Sequence, residues 1–224
     1  KRKTLSAQAT PAKESYKQKA YKAISSWILN DEVKPGDALV EQEIADRLQI
    51  SRTPVREALH RLEQENLVQI VPHVGTFVTQ LSLESLREVF ELREAVEGML
   101  ARLAAKRGVE SLFSKIPPLF EAAVSETDHD LRARKMEEAG DRLHDAVLEA
   151  AGNSRLKSII ESFRLQIEFE RHAATKIEGR IERAFEEHLA ILKAIQERDP
   201  ERAENAMRKH IRNTREDVID SYLR

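Results

Sequence analysis

From position 16 the apolar residues recur at helical spacing. Tyr21, Ile24, Trp27 and Ile28 share one face, and the pattern ends at Asn30-Asp31 before the turn-forming Lys34-Pro35-Gly36-Asp37. A short apolar step, Ala38-Leu39-Val40, leads into 41–48, where Ile44, Ala45 and Leu48 make one face of a two-turn helix; Gln49-Ile50-Ser51 then turns the chain. The next helix opens at Ser51-Arg52-Thr53-Pro54, with Ser51 or Thr53 as N-cap and Pro54 in the first turn, where its missing N–H costs nothing. Val55, Leu59 and Leu62 face inward as far as about Glu65. The period then changes. Leu67-Val68-Gln69-Ile70-Val71 and Thr76-Phe77-Val78-Thr79 are β-prone runs around Pro72-His73-Val74-Gly75, which predicts a hairpin.

Beyond Ser82, which caps a long helix, the chain is helical in period to its end. The interruptions fall near Gly108, Glu126-Thr127-Asp128, Gly152-Asn153, 177–179 and Asp199-Pro200. The expected organisation is a flexible basic arm over 1–14, three helices and a hairpin over 15–80, and an all-helical domain over 81–224. The fold class is mainly α. Low aromatic content (5%) agrees with that, and 41% hydrophobic with 34% charged residues suits a charge-rich helical protein. A formal charge of −2 neither demands nor forbids a nucleic-acid partner. The chain has no cysteine, so disulfides, thiolate metal sites and cysteine nucleophiles are excluded; any metal must be held by His, Asp or Glu. No apolar run approaches the ~20 residues of a membrane span, and a cytoplasmic protein without membrane contact is expected.

Two short helices joined by a tight turn, the second opening with hydroxyls and arginines, is how a helix-turn-helix presents itself in sequence. Arg52 and Arg56 lie opposite Val55, Leu59 and Leu62, so they project together. Either they belong to an ordinary solvated face, or one reads a guanine edge while the other grips a phosphate, with Ser51 and Thr53 offering hydroxyl and backbone donors to phosphate oxygens. The following hairpin makes it the winged variant and favours the second reading.

The stretch from Ile44-Ala45-Asp46-Arg47-Leu48 through Ser51-Arg52-Thr53-Pro54-Val55-Arg56-Glu57-Ala58-Leu59, with Arg61-Leu62, Leu67-Val68 and Gly75-Thr76-Phe77-Val78, closely resembles the GntR family of bacterial transcription regulators. The resemblance implies a double-stranded, pseudo-palindromic DNA operator contacted mainly by Arg52 and Arg56. Ser51, Thr53, the wing residues His73 and Gly75, and Gln42 at the start of the second helix would support them.

In the C-terminal half the core stripe Leu86, Val89, Phe90, Val96, Leu100 and Leu103 also takes in Arg93 and Glu97. A charge in a core register must be paired or must serve a ligand. Either the two satisfy each other at i,i+4, or Arg93 holds a carboxylate ligand through its planar fork. Three histidines fall on inward faces of separate helices: His144 with Gly140, Leu143, Val147 and Ala151; His188 with Phe185, Leu192 and Ile195; His210 with Ala203, Ala206, Met207, Thr214 and Val218. One such histidine is usually a satisfied core residue, but three converging suit a divalent transition metal, zinc or nickel. Asp141, one turn before His144, offers an oxygen ligand. His60, His129 and His172 show no such register and are expected at the surface.

Glu91-Leu92-Arg93 through Glu97, Leu143-His144-Asp145 with Ala150-Ala151-Gly152-Asn153, Glu187-His188-Leu189 and Ala206-Met207-Arg208-Lys209-His210 resemble the FCD effector domain of the FadR-like branch of that family. The resemblance implies a bundle of six or seven helices, a homodimer, and a small carboxylate effector bound with a metal on three histidines and an acid, most often as part of a repressor. His144, His188 and His210 match the histidines. The family's acid lies four residues before the first histidine, where this chain has Gly140. Without a metal, the three imidazoles and Arg93 would hold an anion directly. A three-histidine hydrolase is the competing class, but no carboxylate is singled out as its base and it gives the winged domain no purpose.

Overall fold

The computed structural model describes residues 15–30, 32–79 and 82–223; the basic arm over 1–14 lies outside them. The chain divides into two compact units, residues 1–80 and 81–224.

In the first unit, α1 (Tyr16–Leu29) starts at Ser15, whose hydroxyl accepts the Gln18 N–H. It is followed by α2 (Glu41–Leu48) and α3 (Arg52–Gln64). Gln49 closes α2 in the left-handed region at φ 56°, and this turns the chain sharply enough for α3 to begin at Ser51. β1 (Val68–Val71) and β2 (Gly75–Val78) pair antiparallel with Val68 opposite Val78. The Ala38-Leu39 step adds to this hairpin: Ala38 bridges Phe77 and the Leu39 N–H donates to the Thr76 carbonyl. Ile24, Ile44, Val55, Leu59, Leu62 and Val68 bury their side chains between these layers. The outer faces of α2 and α3 are left to polar residues.

The second unit is a bundle of seven helices among the described residues. α4 (Leu83–Arg107) is capped by Ser82 and ended by Gly108 in the left-handed region, which a glycine adopts without a Cβ clash. A single 3-10 turn at Glu110–Leu112 leads to α5 (Ile116–Val124). Then come α6 (His129–Ala151), α7 (Ser154–Ser162), α8 (Arg164–Thr175), α9 (Arg180–Gln196) and α10 (Pro200–Tyr222). Asp128, Asn153 and Asp199 cap α6, α7 and α10 through their side chains.

The break at Phe163 has no glycine or proline to announce it. α7 has no fully buried residue, whereas α8 buries Leu165, Gln166, Ile167, Glu170 and Ala174. The chain changes direction there so that α8 can cover the core. α10 packs along α4 and α9, and α6 against α4 and α5. Five helices, α4, α6, α8, α9 and α10, bring residues from Arg93 to Thr214 around one interior point.

Candidate functional site

At the exposed face of the first unit, Arg52 opens α3 and Arg56 follows one turn later. Both guanidiniums meet Glu41, the first residue of α2. Arg56 donates Nε and Nη2 to the two carboxylate oxygens, each at 2.8 Å, and Arg52 donates Nη2 to Oε2 at 2.9 Å. These hydrogen bonds, those of Arg56 first, hold the Glu41 carboxyl at about 2. Ser51 takes the N-cap position of α3 without a side-chain cap bond, and Thr53 is exposed beside it. Gln42 is exposed and donates to Asp46 within its own helix. His73 and Gly75 are exposed in the β1–β2 turn, where His73 adopts the left-handed region at φ 62°. The residues expected to touch DNA therefore share α2, α3 and the wing of one unit. Glu41 is the member of this group that sequence spacing does not announce.

In the second unit, His144 on α6, His188 on α9 and His210 on α10 converge. Each offers a ring nitrogen, and the three nitrogens lie within 4.8 Å of one another. All three rings are buried. His144 Nδ1 is paired with Glu97 and His210 Nδ1 with Glu187, the latter at 2.7 Å, which leaves Nε2 of each as the remaining ring nitrogen. Such carboxylates fix ring orientation and tautomer and make the opposite nitrogen a better ligand. His188 stacks on Phe120, and neither of its nitrogens has a partner. Burial, followed by the neighbouring imidazoles, holds His188 and His210 well below the ordinary histidine range. Burial and then Arg171 lower His144. These directions favour the neutral imidazole, the form whose free ring nitrogen can ligate a metal.

The rings border a cavity of about 50 Å³ that Gly140, Arg171 and Arg180 also line, with room for only a few non-hydrogen atoms. A Cβ on Gly140 would stand 3.2 Å from His188 Cε1, so glycine permits this approach of α6 to α9. Asp141 does not join the histidines. Its carboxylate accepts from Arg171 Nη1, because one step along α6 turns it toward α8. Arg93 is 1% exposed and does pair with Glu97, through Nε at 2.8 Å, but it also donates Nη1 to Glu170 on α8 at 2.9 Å. The fork expected to meet a ligand is thus committed to two side chains. Burial alone would raise the Glu97 carboxyl, but Arg93 and His144 hold it well below the usual range, whereas burial pushes Glu170 up to about 7.

Two other guanidiniums face the cavity with buried N–H groups that lack acceptors: Arg180 through Nη1 and Arg171 through Nε. Arg180 is 2% exposed and donates Nη2 to Glu187 and Thr214. Sequence marked neither, although Arg180 precedes Ala184 and His188 at four-residue steps, which was the available signal. His60 and His129 are exposed as expected, but His172 is half-buried against Glu137. No helix among the described residues is long and apolar enough to cross a membrane.

Residues 16–78 match the model of the bacterial regulatory proteins of the gntR family, and residues 88–213 match the FCD domain. The chain is 30% identical to the HTH-type transcriptional regulator LutR of Bacillus subtilis over 88% of its own length and 97% of that protein. It is 27% identical to the HTH-type transcriptional repressor RspR of Escherichia coli over 96% and 93%. The solved structure of E. coli McbR/YncC has the same fold, with a TM-score of 0.75 at 21% identity and coverage of 93% and 99%. With an N-terminal winged helix-turn-helix and a C-terminal FCD bundle, the chain belongs to the GntR family of DNA-binding transcription regulators and not to an enzyme family.

Proposed function

We propose that this regulator is a repressor whose FCD unit senses a small organic acid in the three-histidine cavity, with a divalent transition metal, zinc or nickel, held by His144, His188 and His210. The observation that carries this reading is His188: a buried imidazole with two unpartnered nitrogens, aimed at two other neutral imidazoles. An unsatisfied buried polar group is costly, and a bound ion or anion removes that cost. The donor set suits a nitrogen-preferring divalent ion, and such an ion supplies open coordination positions to a carboxylate. Glu97 and Glu187 orient His144 and His210 toward it. Arg171 Nε and Arg180 Nη1 are better placed than Arg93 to receive the acid's remaining oxygen, since two of Arg93's donor nitrogens already have carboxylates.

The metal-free alternative rests on Gly140, which stands where the family resemblance implies an acid beside the histidines. In that case the effector's own carboxylate is held by the two arginines and by imidazoles that take up a proton with it, since a neutral ring whose Nδ1–H meets a glutamate presents only a lone pair. In both versions the protein acts as a homodimer that places two α3 helices on a pseudo-palindromic duplex. The acid changes operator affinity by favouring one arrangement of the dimer over another.

Elemental analysis of the full chain, prepared without a histidine tag, separates the two. The metal reading expects about one zinc or nickel per chain, and none after His144→Ala/His188→Ala/His210→Ala, with the parent fold retained by circular dichroism. A parent that takes up no metal even after incubation with either ion overturns it in favour of the anion site.

A further inference from the structure

The recognition arginines carry a feature that DNA binding by itself does not require. We propose that Glu41 is a positioning residue that locks Arg52 and Arg56 into one geometry and lowers the pull of the site on DNA of any sequence, so that it sets sequence discrimination. This rests on the assignment of α3 as the recognition helix.

One carboxylate bridges the two helices of the motif at their facing ends. Arg56 binds it in fork-to-fork fashion through Nε and Nη2, which fixes the plane of its guanidinium, and Arg52 reaches the same Oε2. The side chains remain open to solvent, 55% for Arg52 and 56% for Arg56, while Glu41 is 22% exposed beneath them. The carboxylate therefore occupies the inner edge of each guanidinium and leaves the outer edge for a base or phosphate. Reading guanine needs a guanidinium already in plane, and a free arginine loses rotamer entropy to reach it. Attraction to the phosphate backbone needs only charge. Two arginines and one carboxylate present a single net positive charge instead of two. Sequence-independent affinity is thereby lowered, while the oriented donors that discriminate bases are kept.

The test uses the full chain and two probes: a duplex enriched from a random-sequence pool by the parent protein, and a scrambled duplex of the same composition. Affinities are measured over a range of salt for the parent, Glu41→Gln, Glu41→Ala and Glu41→Asp. The expected result is that Gln and Ala bind the scrambled duplex more tightly, with a salt slope steeper by up to about 0.9 for the liberated cation. The ratio of enriched to scrambled affinity should fall by about tenfold or more. Asp, which keeps the charge, should retain more of the ratio than Gln or Ala. A purely structural role would instead weaken both probes in parallel and lower the melting temperature, and Glu41→Gln, nearly isosteric, decides the matter if Glu41→Ala does not fold. Parallel loss, or a ratio within about twofold of the parent, overturns the proposal. Failure of the parent to enrich any sequence would overturn the recognition-helix assignment beneath it, and is distinguishable because it is seen before any variant is made.

Discussion

Two arginine–carboxylate clusters, one in each unit, use the same chemistry under opposite conditions. On the winged unit, Glu41 joins Arg52 and Arg56 at a surface where water competes for every donor. In the bundle, Arg93 joins Glu97 and Glu170, with all three side chains 5% exposed or less. A surface ion pair contributes little to stability and leaves the remaining guanidinium donors within reach of a second partner, such as a phosphate. A buried one is weak evidence of net stabilisation, yet removing either partner strands a charge away from water. Arginines that read or grip a ligand are therefore better sought at the surface, or among buried guanidiniums with an unpartnered N–H, than at a buried fork already met by carboxylates. By that criterion Arg180 and Arg171 are the candidate ligand-facing cations of the bundle, whereas Arg93, which also lines the cavity, is held by two carboxylates.

The comparison is broken most directly at Arg93. Arg93→Ala leaves Glu97 and Glu170 buried without their shared cation, and should lower the stability of the bundle by about 3–5 kcal/mol in urea unfolding. A loss below about 1 kcal/mol, typical of an exposed pair, would mean the triad behaves as a surface cluster.

A smaller effect separates the two carboxylates of the triad by pH. Glu170 is raised from 4.5 to about 7 in the folded state, so between those values the folded protein binds more protons than the unfolded chain. Stability from this group is therefore greatest at low pH and falls as pH rises through the window, by at most on the order of 1 kcal/mol per pH unit. The three buried histidines, lowered in the folded state, work in the opposite direction below the ordinary histidine range. The difference between the parent and Glu170→Gln cancels them and should show the Glu170 slope alone. A flat difference would mean that Glu170 is ionised throughout. Charge on the recognition helix gives the smallest change in fold and a clear change in binding: Arg56→Ala should leave the melting temperature unaltered and weaken the enriched duplex roughly ten- to hundredfold. Unchanged operator affinity would remove Arg56 from the interface.

The winged unit was legible because its instructions are local. Ser51-Arg52-Thr53-Pro54 begins α3, Gln49-Ile50-Ser51 makes the turn, and the runs flanking 72–75 alternate as strands, each decided by residues within a few positions. The histidine cluster was legible for a related reason. A polar residue repeated in the inward register of three helices must meet something, and packing those helices together brings the histidines to one another, with Glu97 and Glu187 behind two of them. What could not be read were the partners. Glu170 lies 77 positions from Arg93, and Arg171 lies 30 from Asp141. Periodicity assigns a residue to a face of its own helix but not to the helix opposite. Asp141 illustrates the limit: i,i+3 to His144 is compatible with a common ligand, yet its direction from α6 places it against α8. The break at Phe163, which lacks any local stop signal, likewise follows from what α8 has to cover.

Sequence alone determined the order and type of the elements, the division into a winged unit and a helical bundle, the family, and the inward register of His144, His188 and His210. It could do so because caps, turns and hydrophobic period are short-range properties. Only the tertiary structure decided which charges neutralise which: Glu41 with Arg52 and Arg56, Glu97 and Glu170 with Arg93, Arg171 with Asp141, and Arg180 left with an unpartnered N–H beside the histidines. Ion pairing and desolvation depend on distance through space, and those distances exist only once the helices have packed.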